Sequence, residues 1–210
     1  MKIHKVNNPF YIHSSCVICN NKIYKHHQII FTRLEKNPED FLFTAYKYFG
    51  LNYPRFYKMD SLSKLGWLCS ELLLQGCDVK DKYKPGEVGL IFSNATASLS
   101  SDAKYFQSIR DIPSPALFVY TLPNIVTGEI CIRHGFKGEN AFFIFERFDP
   151  AFLENYITGL LQNNNMQACI CGWIDFFETN YKAALFLVEK NDGKFAVPFS
   201  AGKMAEIFNV

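Results

Sequence analysis

Between Asp60 and Glu189 the apolar residues switch repeatedly between helical spacing and short continuous runs, and this alternation constrains the fold more than any other feature. Asp60 is a good N-cap for a helix carrying Leu62, Leu65, Leu68, Cys69, Leu72 and Leu73 on one stripe, with Gly76 to stop it. Residues 88–92 form an apolar run of strand length, followed by small polar residues over 93–101. A short helix over 102–110 places Tyr105, Phe106 and Ile109 on one side and ends in a Pro-rich turn. Residues 116–122 read as extended or irregular, and Pro123 opens a helix that runs to His134 and closes at Gly135. Residues 140–146 form a further buried strand. Asp149 and Pro150 then start a helix with Phe152, Leu153, Tyr156, Ile157, Leu160 and Leu161 inward. Strands are expected over 167–174 and 183–189, with a turn at 191–193 leading into a hairpin strand over 195–199. This order implies a single α/β domain over residues 1–210: a layered mixed sheet, mostly parallel with an antiparallel edge, and helices on both faces.

Composition decides what class of protein this is. Hydrophobic residues make up 49% of the 210, with 21 Phe and 11 Tyr among them, enough for a large core and too many for a disordered chain. No apolar run approaches the roughly 18 residues of a membrane helix. The early polar residues Asn7, Asn8, His13, Ser14 and Ser15 do not suit a signal peptide, so a cytoplasmic protein is expected. A net charge of +2 gives no basic footprint for nucleic acid. Residues 1–33 nonetheless carry Lys2, Lys5, Lys22, Lys25 and Arg33 with no acid, either as a solvated basic end or as a docking face for an acidic protein.

Seven cysteines, an odd number, point to reduced thiols. Cys16/Cys19 and Cys169/Cys171 lie in apolar runs, and His26 and His27 are not at a finger-like offset from them, so core filler is expected and a metal is not. Phosphate-binding glycine loops and the G-x-S-x-G elbow do not occur. His134, at a helix C-terminus and without an identifiable nucleophile, is read as structural.

Residues 55–175 carry an ordered set of short motifs. Arg55 to Asp60 precede the first long helix as R-x-x-x-M-D, and residues 88–96 give a strand and a small-residue loop. Ser114-Pro115, Asn124 to Gly128, Gly135 to Asn140, and Ala168 to Trp173 follow in order. Together they resemble the N-terminal half of the β-ketoacyl synthases of the thiolase superfamily. In that family a nucleophilic Cys lies seven residues after the Asn or Ser of its G-P-[NS] motif, at a strand-to-helix turn. Counting from Asn140 gives Arg147, preceded by Glu146, and Gly172 follows 25 residues later as the family's strand-end glycine does. A guanidinium stays protonated and has no lone pair to offer, so Arg147 cannot act as nucleophile.

The resemblance implies a half-synthase. The His/His or His/Asn positions of the family's second half have no counterpart in a chain ending at Val210, and an isolated half would expose an apolar face. It further implies dimerisation edge to edge through the strand before Arg147. Leu117, Phe118, Val119 and Tyr120, with Asn124, Phe143 and Phe145, become acyl-tunnel or dimer-interface candidates, with plain core as the alternative. The expectation is a chain-length-factor-like subunit, catalytically silent and without a cofactor. It would pair with a full-length β-ketoacyl synthase in fatty-acid, polyketide or polyene assembly, and acyl carrier protein is a further partner. The alternatives are an acyltransferase or decarboxylase using Glu146 or Cys131, and a stand-alone homodimeric binding protein.

Overall fold

The computed structural model describes residues 9–163, 166–190 and 196–210. Its strands are β1 (Tyr11–Cys19), β2 (Lys22–Lys25), β3 (Gln28–Thr32), β4 (Val88–Asn94), β5 (Asn140–Ile144), β6 (Ala168–Phe177), β7 (Asn180–Glu189) and β8 (Val197–Pro198). The helices are α1 (Pro38–Tyr48), α2 (Ser61–Leu74), α3 (Val79–Lys82), α4 (Leu99–Ser108), α5 (Pro115–Val119), α6 (Ile125–His134), α7 (Pro150–Gln162) and α8 (Ala201–Phe208). The strands form one sheet in the order β3-β2-β1-β7-β6-β4-β5, with β8 pairing to β1.

Both faces of this sheet are covered, which explains why its central strands read as unbroken apolar runs rather than alternating ones. Along β4, Leu90 and Phe92 face the layer of α1, α2 and α6, whereas Ile91 faces α7 and α8. Leu65, Leu68 and Leu72 of α2 join the first core, and Leu153, Ile157 and Leu161 of α7 join the second. Each such side chain contributes roughly 1.5–3 kcal/mol on burial. The two main helices start where their caps predict: the carboxylates of Asp60 and Asp149 accept from the backbone N–H of Ser63 and Phe152. Gly135 closes α6 in the left-handed conformation.

Four expectations need correction. The sheet is mixed but not mostly parallel, because only β4–β5 and β4–β6 run parallel while the other pairings are antiparallel. The cause is local: the two-residue links 20–21, 26–27 and 178–179 can join only antiparallel neighbours. Strand 140–146 is not buried. As β5 it is shorter and forms an edge of the sheet, with Asn140 and Ile144 exposed. Residues 115–119 are helical, Ser114 capping the turn and Pro115 occupying its first position. The final short strand pairs with β1 rather than forming a hairpin with β7, and the expected turn at 191–193 lies outside the described residues.

Lys25 is not a docking cation. Its ammonium donates to the carbonyls of Leu72 at 2.6 Å and Gln75 at 2.7 Å, closing the C-terminus of α2, and burial lowers its pKa.

His134 is likewise structural. Its Nε2 lies 3.0 Å from Glu71 Oε1, and Arg133 donates to both Glu71 oxygens at 2.9 Å. Burial pushes the Glu71 carboxyl up, but His134 and Arg133 outweigh that effect and hold it at about 2. Because the folded state holds Glu71 below its ordinary value, the stabilisation is complete above about pH 4.5 and is lost as pH falls toward 2. Acid should therefore cost about 1–2 kcal/mol of stability over that window, the full shift being reduced by solvent screening, and Glu71→Gln should remove that part of the slope in urea unfolding curves.

Candidate functional site

Parallel strands β4 and β5 end on the same side of the sheet, and the chain leaves β5 through a bend over residues 145–149 before entering α7. Arg147 lies in this bend, exposed, with exposed Glu146 beside it. The bend lines an open recess of about 400 Å³ from Phe145 to Pro150. Among the described residues Arg147 forms no ion pair, and it is exposed just before the start of α7. The ring of Phe143 stacks on Phe145 at 5.9 Å and meets Phe152 edge-on at 4.9 Å, joining the strand to the helix.

Among the described residues no nucleophile–base pair forms around this bend. Cys169 and Cys171 are buried in β6, and burial together with Cys169 raises Cys171 well above the ordinary thiol range. Cys131 is half-buried on α6, and burial raises it too. His134 precedes the start of β5 whereas Arg147 follows its end, so the strand separates them. Among the described residues no His, Cys, Asp and Glu group of three or more is arranged to hold a metal ion.

The loop leaving β4 is tied down internally. Asp175 Oδ1 accepts from the backbone N–H of Ala95 at 3.2 Å and Thr96 at 3.0 Å, and from the Thr96 hydroxyl at 2.7 Å. A carboxylate of the chain itself therefore fills the N–H cluster where an anion could otherwise sit. Asp175 carries no such signal in the sequence beyond its place directly after the strand expected over 167–174.

The other candidates lie on α4, α5 and α6. Leu117 and Tyr120 line a recess with Asp60 and Lys104, and Asn124 is the exposed residue preceding α6. The Tyr120 hydroxyl donates to Glu129 Oε1 at 3.4 Å, and Arg55 donates to the same oxygen at 2.9 Å. Burial and the Glu129 charge push the Tyr120 hydroxyl up to about 12, keeping it neutral. Phe118 is 52% exposed and meets Tyr105 at 5.4 Å. The stripe expected over 102–110 is largely exposed: Phe106 on α4 is 61% exposed and Ile109, which follows it, 43%. Of the thirteen large hydrophobic residues exposed among the described residues, nine are Leu99, Phe106, Ile109, Ile112, Phe118, Val119, Leu122, Ile132 and Ile144. Exposed apolar residues concentrated in this way along one stretch of chain are of the sort that marks interaction sites.

The architecture is the ketosynthase fold. The chain is similar to the ishigamide ketosynthase/chain length factor, with a TM-score of 0.62 and 15% identity over 86% of this chain and 62% of that one. It is also similar to AntDE:AntF, a type II PKS acyl-carrier protein in complex with its ketosynthase bound to the hexaketide, with a TM-score of 0.60 and 14% identity over 86% and 62%. A third similar structure is the ketosynthase ApeO in complex with its chain length factor ApeC from Xenorhabdus doucetiae, with a TM-score of 0.50 and 14% identity over 68% and 63%. The chain thus spans about three fifths of the length of the structures it matches. No protein-family model and no curated protein matches its sequence. Among the described residues no helix is long and apolar enough to cross a membrane.

Proposed function

We propose that this chain is a non-catalytic, chain-length-factor-like subunit that pairs with an active 3-oxoacyl-carrier-protein synthase in polyketide, polyene or fatty-acid assembly. The observation that carries this reading is the exposed Arg147 in the strand-to-helix bend, at the position where the resembled family holds its thiol. The likeness in fold to ketosynthase and chain-length-factor complexes supports it. In this reading the edge strand β5 and the exposed apolar residues, Phe118 and Val119 among them, supply the surface for the partner. A cytoplasmic location and contact with an acyl carrier protein follow from the same reading.

Co-expression with full-length ketosynthases of the same genome tests it. A 1:1 complex is expected in size exclusion, with label from malonyl- or acyl-carrier protein on the partner and none on this chain. A covalent adduct on this chain, or failure of every synthase to co-elute, would overturn the reading. Within the complex, Phe118→Ala should lengthen the products by opening space at the partner's tunnel end, read by mass spectrometry. An unchanged product distribution would remove Phe118 from that role.

A further inference from the structure

The edge of the sheet opposite β5 is independent of the reading above. Strand β3 pairs only with β2 among the described residues, so one side of its backbone has no strand beside it. Next to it lies a recess of about 410 Å³ whose walls include Ile29, Phe31, Arg33, Thr44 and Tyr48. Ile29 is 52% exposed, Tyr48 66% and Leu34 89%. The Tyr48 ring is held by Phe31 at 4.8 Å and Phe49 at 5.1 Å, so it stands ready as an anchor at little entropic cost.

The charge here is net positive. From residue 9 to residue 34 the chain has no carboxylate. Lys22 pairs across from Thr32, and Arg33 and Lys36 follow β3 directly; all three are exposed. The nearest acids are Glu35, engaged by Thr44 and Arg33, and Asp40 on α1.

We propose that the free edge of β3 and the adjoining face of α1 form a docking groove for an extended peptide of alternating apolar and acidic side chains, which adds to the sheet as a further strand. Backbone pairing would supply affinity, Tyr48 and Ile29 would receive alternate apolar side chains, and the cations would select acidic ones. A second copy of the chain is a poorer occupant, because it would bring Lys22, Arg33 and Lys36 against their own copies.

The test is selection of a random decapeptide display library on the full chain, with counter-selection on Tyr48→Ala. The expected consensus alternates apolar residues with Asp or Glu. A fluorescein-labelled consensus peptide should bind Tyr48→Ala and Ile29→Lys at least tenfold more weakly, and should weaken several-fold between low and high salt. Both substitutions are at exposed positions, and an unchanged melting temperature certifies that the variants are folded. Absence of enrichment over Tyr48→Ala, a consensus without acidic residues, equal affinity for the variants, or a self-dimer that Ile29→Lys dissociates would each overturn the proposal.

Discussion

Ile144→Pro is expected to leave the chain folded while weakening its binding to a partner ketosynthase roughly 30-fold. Leu90 donates to the carbonyl of Glu139, and Phe145 donates to Asn94, so the odd-numbered residues of β5 direct their backbone groups toward β4. The alternation of a parallel ladder then directs those of Asn140, Phe142 and Ile144 to the free edge. Proline at 144 deletes an outward N–H and breaks no bond to β4, and it restricts Phe143 to the extended conformation that residue already has. The cost in stability should stay below about 1 kcal/mol. A strand paired across this edge would lose its central bonds, and about 2 kcal/mol of lost pairing corresponds to roughly 30-fold weaker binding. Ala141→Pro is the contrasting variant, because its N–H points inward and its loss should unfold the edge. If Ile144→Pro binds the partner as tightly as the unaltered chain does, β5 is not the interface.

The parts of this fold legible in the sequence are those whose signals are local. Asp60 and Asp149 announce α2 and α7 because a cap needs only its own first turn, and β4 is recognisable because a strand covered on both faces must be apolar throughout. The N-terminal meander was not legible. Its turns at Asn20–Asn21 and His26–His27 hold positive φ angles without any glycine, although the Asn pair carries part of a hairpin signal. The edge position of β5 depends on which strands flank it, and that information is not in residues 140–146. The apolar stripe of Tyr105, Phe106 and Ile109 is legible as a stripe, but what it faces depends in the proposed reading on a partner outside this chain. Arg147 was located by counting from Asn140, and the bend holds it because the same spacing that ends β5 starts α7. The Asp175 clasp on residues 95–96 joins segments 79 or 80 positions apart, so no local pattern could show it.

Gly172→Ala is expected to cost about 3–5 kcal/mol, the largest loss from any single methyl group in this chain. Gly172 sits mid-strand in β6 with φ of 144°, a conformation essentially closed to residues with a Cβ. A Cβ there would also collide with the carbonyl oxygen of Ala184 on β7, which is backbone and cannot rotate away. The residue lies between Phe92 and Leu185 in the ladder, so relief of the clash would have to push apart the β4–β6 or β6–β7 pairing at the centre of both cores. Against a total stability of about 5–15 kcal/mol, such a loss should lower the melting temperature by about 10 °C or more, or prevent folding altogether. Gly159→Ala provides the control: within α7 an added Cβ meets nothing within 4 Å, and the substitution should gain up to about 1 kcal/mol. Calorimetry of the two variants should therefore move in opposite directions. A Gly172→Ala chain that melts with the unaltered protein would mean that β6 does not approach β7 as closely as the fold requires. The bend holding Arg147 would then rest on a different packing of the central strands.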